Sequence, residues 1–270
     1  MNKSNSELNN SVALVTGGSK GIGRAIALEL ARAGADLILC ASKEDALEEF
    51  KIEVEGFGNK VWCSAFDATD GNAIKAFFSN IVEKVGQLDI LVNNVGGVRD
   101  HAKFEELSDE QWINSWNLNF MTTVHFSREA LPWLRKSKSP RIINIASSAG
   151  KQPGRVNPHY GSSKAAINYL SKYLSNELGP EGILVNAICP STVSGGSWAA
   201  NIKDKAGRMG VSISEATRLM EEEVVQKTPL GKIVEPKAIG ELVVFLASDR
   251  ARFITGSCIA VDGGMIKSIF

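Results

Sequence analysis

The chain has 270 residues, of which 44% are apolar and 22% charged, an ordinary composition for a globular protein. This length is enough for one α/β domain with a continuous core. Basic and acidic side chains number 30 each, so bulk charge gives no indication of a nucleic-acid or membrane partner. No apolar run approaches the roughly 18 residues of a membrane helix. The polar segment 1–10 predicts a flexible tail rather than a signal peptide.

The cysteines are far apart in the chain and none forms a C-x-x-C pair. They stand at Cys40, Cys63, Cys189 and Cys258, and three of them fall in apolar segments typical of strands. This pattern predicts buried free thiols, with no disulfide and no metal site. The cytoplasm is the expected location, because thiols stay reduced there.

Short apolar runs alternate with helical patterns along the chain. The predicted strands are 12–16, 36–41, 60–64, 89–93, 141–146, 183–188 and 258–261, and the predicted helices are 21–33, 43–55, 70–85, 108–135, 160–178 and 236–247. The strands are almost continuously apolar, which indicates a sheet covered on both faces. We therefore predict one α/β domain over 11–270, a Rossmann-type doubly wound parallel sheet of about seven strands with helices on both faces. Ligands of such sheets bind beyond the carboxyl ends of the strands.

A glycine-rich turn, residues 16–23, joins the first strand to the first helix. Glycines permit a tight turn and close approach to a pyrophosphate, and the helix start offers free N–H groups. A turn without a ligand is the alternative, but the strand before and the helix after favour dinucleotide binding. The glycine spacing differs by one residue from the usual fingerprint. The predicted contacts are Gly17, Ser19, Lys20, Gly21, Ile22 and Gly23.

The end of the second strand indicates which dinucleotide binds. An NAD site commonly has an acid there for the ribose 2′-hydroxyl, but Ala41 and Ser42 occupy these positions. Ser42, Lys43 and Lys20 instead offer a hydroxyl and two cations, which suit a 2′-phosphate. We therefore predict NADP(H), with NAD(H) as the alternative, since an exposed lysine at a helix start often has no function.

Two further turns follow strands at the same edge of the sheet. Asp67 and Ala68 follow the third strand, where Asp67 is placed to accept a hydrogen bond from the adenine amino group. Helix capping is the alternative, although Thr69 or Asp70 fills that role more naturally. The small residues of 93–97 suit a backbone that lies against the nucleotide, with Asn94 and Gly96 as predicted contacts.

A serine, a tyrosine and a lysine form the candidate catalytic group. Tyr160 and Lys164 are four residues apart on a predicted helix and so share one face. An ammonium beside a phenol favours the phenolate, which would let Tyr160 exchange a proton with a substrate oxygen. Ser147 follows the fifth strand and is predicted to polarise the same oxygen. A lone Y-x-x-x-K pair on a helix is usually an accident.

Taken together, these motifs resemble the short-chain dehydrogenase/reductase family over about residues 11–264, closest to its 3-oxoacyl reductase-like branch. Ser147 precedes Tyr160 by 13 positions, which is similar to the family spacing and favours Ser147 over Ser148. The matching residues are Thr16, Gly17, Gly21, Ile22, Gly23, Asp67, Asn93, Asn94, Gly96, Asn119, Ser147, Tyr160, Lys164, Pro190, Val261, Asp262, Gly263 and Gly264.

The resemblance implies roles for these residues. Tyr160 would be the general acid in reduction, and Lys164 would lower its pKa and bind the nicotinamide ribose. Ser147 would hold the substrate oxygen. Asn119 would fix a water that links Lys164 to solvent, with Asn117 as a nearby competitor. The resemblance also implies a homotetramer or homodimer.

The nicotinamide end departs from the family pattern. Pro190 and Val193 are the implied contacts there, but Ser191 replaces the usual glycine and Gly195 an often-found threonine. Ser194 or Ser197 would take over the threonine's contact with the cofactor.

Segment 194–228 is the part that the family fixes least. Its glycines and apolar stripe predict a lid over the substrate, with a helix packed permanently on the domain as the alternative. Three arginines, Arg99, Arg155 and Arg208, are candidates to meet an anionic substrate. The predicted substrate is a small carbonyl or alcohol, preferably a 3-oxoacyl-like or other hydrophobic ketone. An NAD-dependent alcohol, polyol or steroid dehydrogenase and a non-catalytic nucleotide-binding regulator are the alternatives.

Overall fold

A computed structural model describes residues 7–195 and 197–269, apart from the side chains of residues 197 and 200. Its centre is one parallel sheet of seven strands in the order β3-β2-β1-β4-β5-β6-β7. The strands are β1 Val12–Thr16, β2 Asp36–Ala41, β3 Val61–Ala65, β4 Ile90–Asn93, β5 Arg141–Ile145, β6 Leu184–Pro190 and β7 Cys258–Val261. The predicted doubly wound sheet is confirmed, with strand ends within two residues of the predicted ones.

The helices cover both faces of this sheet. They are α1 Gly21–Arg32, α2 Glu44–Glu55, α3 Gly71–Phe77, α4 Glu83–Val85, α5 Asp109–Trp116, α6 Thr122–Leu134, α7 Pro158–Leu178, α8 Ser197–Met209, α9 Ile213–Lys227 and α10 Pro236–Ala247. The apolar strands bury both faces in two large clusters. One contains Ile26, Leu30 and Ile239, and the other Phe77, Phe126 and Leu178.

Two predicted helices are interrupted by π-turns. Helix 70–85 contains one at Phe78–Val82, and helix 108–135 contains one at Asn117–Met121. A π-turn adds one residue to a helical turn, so the helix faces before and after it are out of phase. The side-chain pattern of these stretches had predicted a single helix in each case.

The strand order reverses between β1 and β4, because β2 and β3 lie on one side of β1 and β4 to β7 on the other. The connections that follow β1 and β4 therefore run to opposite sides of the sheet. A crevice lies between them at the carboxyl edge of the sheet. The glycine-rich turn, the 93–97 turn and the residues after β5 and β6 all lie along that edge.

The amino-terminal residues of the described part are ordered against the domain. Leu8 is 3% exposed and belongs to the core cluster of α1, and its N–H donates to the carbonyl of Ala33. Glu7 forms an ion pair with Arg250 at 2.9 Å. The predicted tail therefore cannot extend through residue 10. For residues 1–6, which lie outside the described residues, it stays a prediction.

Segment 194–228 forms a helical hairpin of α8 and α9, which turns at Gly210. The hairpin has a small core of its own, formed by Trp198, Ile202, Ala206 and Ala216. Two members of the predicted apolar stripe, Met209 and Ile213, are instead half exposed at the tip. The base of the hairpin is tied where Val193 pairs with Val234.

All four cysteines lie in strands, one more than predicted, and all are free thiols. Cys40 and Cys189 are buried, and Cys63 and Cys258 are partly buried. Among the described helices, none combines the length and apolar character that a bilayer crossing requires.

Candidate active site

The glycine-rich turn is shaped by backbone conformations that favour glycine. Gly17 and Gly21 have φ of +66° and +55°, values that other residues rarely adopt. The N–H of Gly17 donates to the carbonyl of Cys40 at 2.8 Å, which fixes the turn over β2. A Cβ on Gly23 would lie 2.2 Å from the carbonyl oxygen of Gly17, so only glycine permits this packing. The predicted turn is therefore present, with the geometry expected of a phosphate cradle.

Asn94 and Thr16 brace the turn from the neighbouring strand. Asn94 Nδ2 donates to the carbonyls of Thr16 and Gly17 at 3.0 and 3.2 Å. Thr16 Oγ1 accepts from the backbone N–H groups of Asn94 and Val95. The Asn94 side-chain amide and the Thr16 hydroxyl thus both stabilise the shape of the turn. Sequence reasoning had placed Asn94 against the nucleotide and had given Thr16 no such bracing role, although it is the threonine of the motif.

The start of α1 has no side-chain cap from the described residues. Lys20 occupies the N-cap position with extended backbone, and its first turn contains no acid. The free N–H groups and positive end of the helix suit a pyrophosphate. Lys20, Ser42 and Lys43 are exposed at the neighbouring helix starts, and Lys43 is the N-cap residue of α2. Ser19 and Ile22 are partly buried, with Ile22 packed on the core. These residues fit a dinucleotide that carries a 2′-phosphate.

Asp67 is exposed after β3 and makes a local turn. Its Oδ1 accepts hydrogen bonds from the N–H and hydroxyl of Thr69 at 2.9 and 2.8 Å. These bonds lower the pKa of Asp67, and the charge of Arg99 adds to the effect. Asp70 caps α3, because its side chain accepts a hydrogen bond from the N–H of Asn72. Helix capping, the alternative role for Asp67, is therefore performed by Asp70. Arg99 therefore lies toward the adenine end of the cleft, while Ala68 is partly buried beside Asp67.

Asn119 is fully buried in the π-turn between α5 and α6. Its Oδ1 accepts from the N–H of Gly97 at 2.8 Å, and its Nδ2 donates to the carbonyls of Gly97 and Ser115. A Cβ on Gly96 would lie 2.6 Å from Asn119 Oδ1 and 3.1 Å from Lys164 Nζ. Gly96 thus lies directly between these two groups, which leaves them near enough for one water to bridge.

Asn117 occupies the first position of the same π-turn and is exposed. Since Asn119 is the residue that contacts the loop after β4, the geometry favours Asn119 over this competitor.

Helix α7 carries Tyr160 and Lys164, and the loop after β5 places Ser147 beside Tyr160. Lys164 is 3% exposed, and its Nζ donates to the carbonyl of Ile145 at 2.8 Å and lies 5.7 Å from the ring centre of Tyr160. Ser147 follows β5, and its Oγ accepts from the N–H of Ala149 at 3.1 Å. That bond leaves the Ser147 hydroxyl proton free to donate. An ammonium has three donors, so Lys164 also keeps donors for a ligand.

The pKa values of this group are governed mainly by burial. Burial lowers the pKa of Lys164 to about 8. Burial also raises the pKa of Tyr160. The hydrogen bond from Ser147 acts in the opposite direction but is the weaker effect. This net direction is opposite to the one that the resemblance implied, because the packed surroundings of the phenol outweigh the neighbouring groups in the protein alone. Tyr160 therefore holds its proton at neutral pH, as a general acid requires.

Pro190 and Val193 line the edge of the sheet after β6. Pro190 is the last residue of the strand and pairs with Val261, and the next N–H, of Ser191, donates to the Val261 carbonyl. Val193 is partly buried against the core. Ser194 N–H donates to the carbonyl of Val234. The side chain of Ser197 lies outside the described residues.

A cavity of about 320 Å³ opens between the α8–α9 hairpin and the loop after β4. Charged and amide side chains border it through both their polar groups and their apolar stems, and its lining comprises His101, Asn201, Asp204, Lys205, Arg208, Met220 and Glu223. Arg208 thus borders this cavity, Arg99 borders a smaller one, and Arg155 is exposed on the loop before α7. His159, beside Tyr160, is buried against Trp112 and borders a smaller cavity with Ser115.

Comparison with known proteins identifies the family. Residues 17–266 match the family model described as enoyl-(acyl carrier protein) reductase, which belongs to the short-chain dehydrogenases/reductases. The chain is a member of this family. Membership makes it an oxidoreductase and confirms the resemblance predicted from the motifs.

Curated relatives align over nearly their whole length. The 3-oxoacyl-[acyl-carrier-protein] reductase of Thermotoga maritima is 31% identical over 96% of this chain and 99% of the relative. The acetoacetyl-CoA reductase of Shinella zoogloeoides is 34% identical over 94% and 97%. Among solved structures, the L-sorbose reductase of Gluconobacter frateurii, in complex with NADPH and L-sorbose, has a TM-score of 0.92 and 31% identity, with complete coverage of both chains.

Proposed function

We propose that this protein is an NADP(H)-dependent reductase that converts a ketone to a secondary alcohol, with Ser147, Tyr160 and Lys164 at the reacting oxygen. The observation that carries the proposal is the convergence of these three side chains at the carboxyl edge of the sheet, beside the turn after β4. A phenol that keeps its proton stands beside a buried ammonium with unused donors and a hydroxyl free to donate.

The chain's own residues then perform the proton chemistry. When bound, the dinucleotide supplies the hydride to the carbonyl carbon. Ser147 donates a hydrogen bond to the carbonyl oxygen and stabilises the charge that develops there. Tyr160 donates its phenolic proton to the same oxygen, which completes the alcohol. Lys164 holds a positive charge beside the phenolate that forms, and a water held near Asn119 is the route by which the proton returns.

The charge distribution around the adenine ribose favours NADP(H) over NAD(H). Lys20 and Lys43 are exposed at two helix starts, and no ion pair engages either of them in the described part of the chain. Ser42 adds a hydroxyl. The contacts that we propose for the cofactor are the predicted ones: Gly17, Ser19, Lys20, Gly21, Ile22, Gly23, Ser42, Lys43, Asp67, Ala68, Asn94, Gly96, Tyr160, Lys164, Pro190 and Val193.

Two ketone classes compete for the substrate position. A 3-oxoacyl thioester is the first candidate, because two of the relatives are named as reductases of such compounds. A polyhydroxylated ketone is the second, because a solved structure that matches the whole chain is named as a reductase of L-sorbose.

Steady-state oxidation of NADPH with one compound of each class tests the proposal. Acetoacetyl-CoA, L-sorbose and a 2-enoyl thioester are supplied separately, and the same series is repeated with NADH. Turnover of either ketone with NADPH supports the proposal and chooses the class. Turnover of the enoyl compound alone, or a preference for NADH, would contradict it. Segment 194–228 is proposed as the lid that closes over the chosen ketone.

Assembly into a homodimer or homotetramer is proposed from exposed apolar residues on the long helix and near the last strand. Tyr169 and Tyr173 on α7 are 75% and 53% exposed, and Phe253 is 88% exposed. Exposed aromatic clusters of this kind often mark protein interfaces. Light scattering on the purified protein gives the mass directly, and a monomer at micromolar concentration would refute the assembly.

A further inference from the structure

Asn168 lies one helical turn beyond Lys164 on α7. Tyr160, Lys164 and Asn168 are spaced by four residues, so all three share one face of the helix. The proton chemistry proposed above uses only the first two. The third is a partly buried amide on the catalytic face whose contacts are all within the protein.

The Asn168 amide binds two segments at once. Its Nδ2 donates to the carbonyl of Gly150 at 3.2 Å, and its Oδ1 accepts from the Cys189 thiol at 3.3 Å. Gly150 belongs to the Ser147 loop, which we define as residues 147–151, and Cys189 is in β6. Because the thiol must donate to Oδ1, the amide is oriented with Nδ2 toward the loop.

The Cys189 thiol is suited to this donor role. The side chain is fully buried, and burial raises its pKa to about 11. The sulfur therefore keeps its proton at neutral pH. A second thiol, Cys258, donates to the backbone carbonyl of Asn168 at 3.8 Å. Strands β6 and β7 thus both contact this one residue of α7.

The Ser147 loop is held by its own turn, by close packing on α7 and by strands β6 and β7, where the Cys189 thiol also contacts the backbone of Ser147. The N–H of Gly150 donates to the carbonyl of Ser147 at 3.0 Å, so Ser147 moves with Gly150. A Cβ on Gly150 would lie 2.6 Å from the backbone of Lys164, which shows how closely the loop rests on the helix. At the far end, Lys151 Nζ donates to the carbonyl of Cys258 at 3.1 Å.

We propose that Asn168, oriented by the Cys189 thiol, is a positioning residue that holds the Ser147 loop against α7 and thereby sets the distance from the Ser147 hydroxyl to the Tyr160 phenol. This inference rests on the proposed function, because it concerns the same hydroxyl and phenol. The Asn168 amide contacts the Ser147 loop and β6. Its effect reaches the reaction through Gly150 and Ser147.

The test compares Asn168→Leu, which removes both amide bonds at similar volume, with Asn176→Leu at an exposed position of the same helix. We expect kcat for the ketone to fall about tenfold or more in Asn168→Leu, since small displacements of catalytic groups are costly. The KM and Kd for NADPH should not change, and Asn176→Leu should behave as wild type. A fall in NADPH affinity that parallels the fall in kcat would overturn the proposal, because it would indicate general loosening.

The Cys189 series tests the orientation of the amide and also serves if Asn168→Leu does not fold. Cys189→Ala should lower kcat by a smaller factor, and Cys189→Ser, which keeps a donor, should restore it. In the Asn168→Leu background, Cys189→Ala should have a smaller effect than in wild type, because only the thiol's direct contact with the Ser147 backbone is then left to lose. Equal losses for the alanine and serine variants would overturn the proposal.

A tyrosine titration provides a readout that does not depend on turnover. The chain has 3 tyrosines, and subtraction of the Tyr160→Phe spectrum isolates Tyr160. The bond from Ser147 lowers the pKa of Tyr160, so Asn168→Leu should raise that pKa as Ser147→Ala does. An unchanged pKa in Asn168→Leu would overturn the inference. If wild type reduces no ketone but this shift occurs, the proposed function fails while the positioning role of Asn168 holds.

Discussion

The catalytic edge of the sheet and the α8–α9 hairpin face the same cleft, but they are held in different ways. Asn119 and Lys164 are buried, and their hydrogen bonds run to backbone carbonyls of neighbouring elements. The hairpin instead has a small core of four buried side chains, ion pairs on its exposed faces, and a base where Val193 pairs with Val234. Proton transfer requires fixed distances, whereas substrate entry requires a part that can move independently.

This contrast separates the effects that substitutions should have. Substitutions at the catalytic edge should lower the rate of the chemical step or the affinity for the cofactor, and they should leave the hairpin folded. Changes within the hairpin should alter the apparent affinity for the ketone and leave the cofactor site intact.

Removal of the Tyr160 hydroxyl is the most severe test at the catalytic edge. We expect Tyr160→Phe to lower kcat by about 10³-fold, within the range measured for general acids, because the variant lacks the phenolic proton that we propose is transferred to the substrate oxygen. Affinity for NADPH, followed by energy transfer from tryptophan, should remain nearly unchanged. Full turnover by this variant would rule out the proposed role of Tyr160.

Removal of two positive charges tests the cofactor-binding end of the same edge. Lys20→Ala combined with Lys43→Ala should weaken NADPH binding by about tenfold or more, since hydrogen bonds to charged groups contribute about 1.5–3 kcal/mol each. NADH lacks the 2′-phosphate, so its Kd should change little. Fluorescence titrations of both nucleotides measure the two effects, and equal losses would remove the argument from charge. Lys60→Ala, on an exposed lysine before β3, is the matched control.

The buried ammonium predicts a pH dependence. Burial lowers the pKa of Lys164 to about 8, so its positive charge is present below that pH and is lost as the pH rises above it. Tyr160, with its raised pKa, stays protonated over the same interval. We expect kcat/KM for reduction to fall up to tenfold per pH unit above about 8. A profile that stays flat into strongly alkaline solution would mean that the ammonium charge is not needed.

The smallest effect is expected from the hairpin. Trp198→Ala should loosen the hairpin core, because loss of a buried tryptophan creates a cavity, and should raise the KM for the ketone several-fold. The Kd for NADPH and the melting temperature of the whole domain should change little, since this core is separate from the two large clusters. Limited proteolysis near Gly210 should become faster. If Trp198→Ala lowered kcat as much as Tyr160→Phe does, the hairpin would be needed for the chemical step, as the catalytic edge is.

Sequence alone was sufficient where a position admits few residue types. The glycines of the 16–23 turn, together with Ser147, Tyr160 and Lys164 in their order and spacing, form a combination that few other functions produce, although the tyrosine and lysine alone would not. Apolar strands buried on both faces also gave boundaries close to the observed ones.

Other features depend on contacts that no local pattern encodes. The π-turn at Asn119 changes hydrogen-bond register without a characteristic residue. The bond from Asn168 to Gly150 joins residues 18 positions apart. The direction of the Tyr160 pKa depends on how many atoms surround the phenol, which is a property of the packed structure. The hairpin split at Gly210 did have a signal in the sequence, a glycine between two helical stretches.

The π-turn at Asn117–Met121 has a consequence for how this part of the chain tolerates changes in length. Its extra residue rotates everything before it by about 100° relative to everything after it. Helix α5 can thus direct one side toward α7 while α6 buries Phe126 and Ala130 under the sheet. Deleting a single residue here would bring the two segments into one phase and turn either the Asn119 side chain or Phe126 away from its partners. Point substitutions at the same positions would leave that phase untouched.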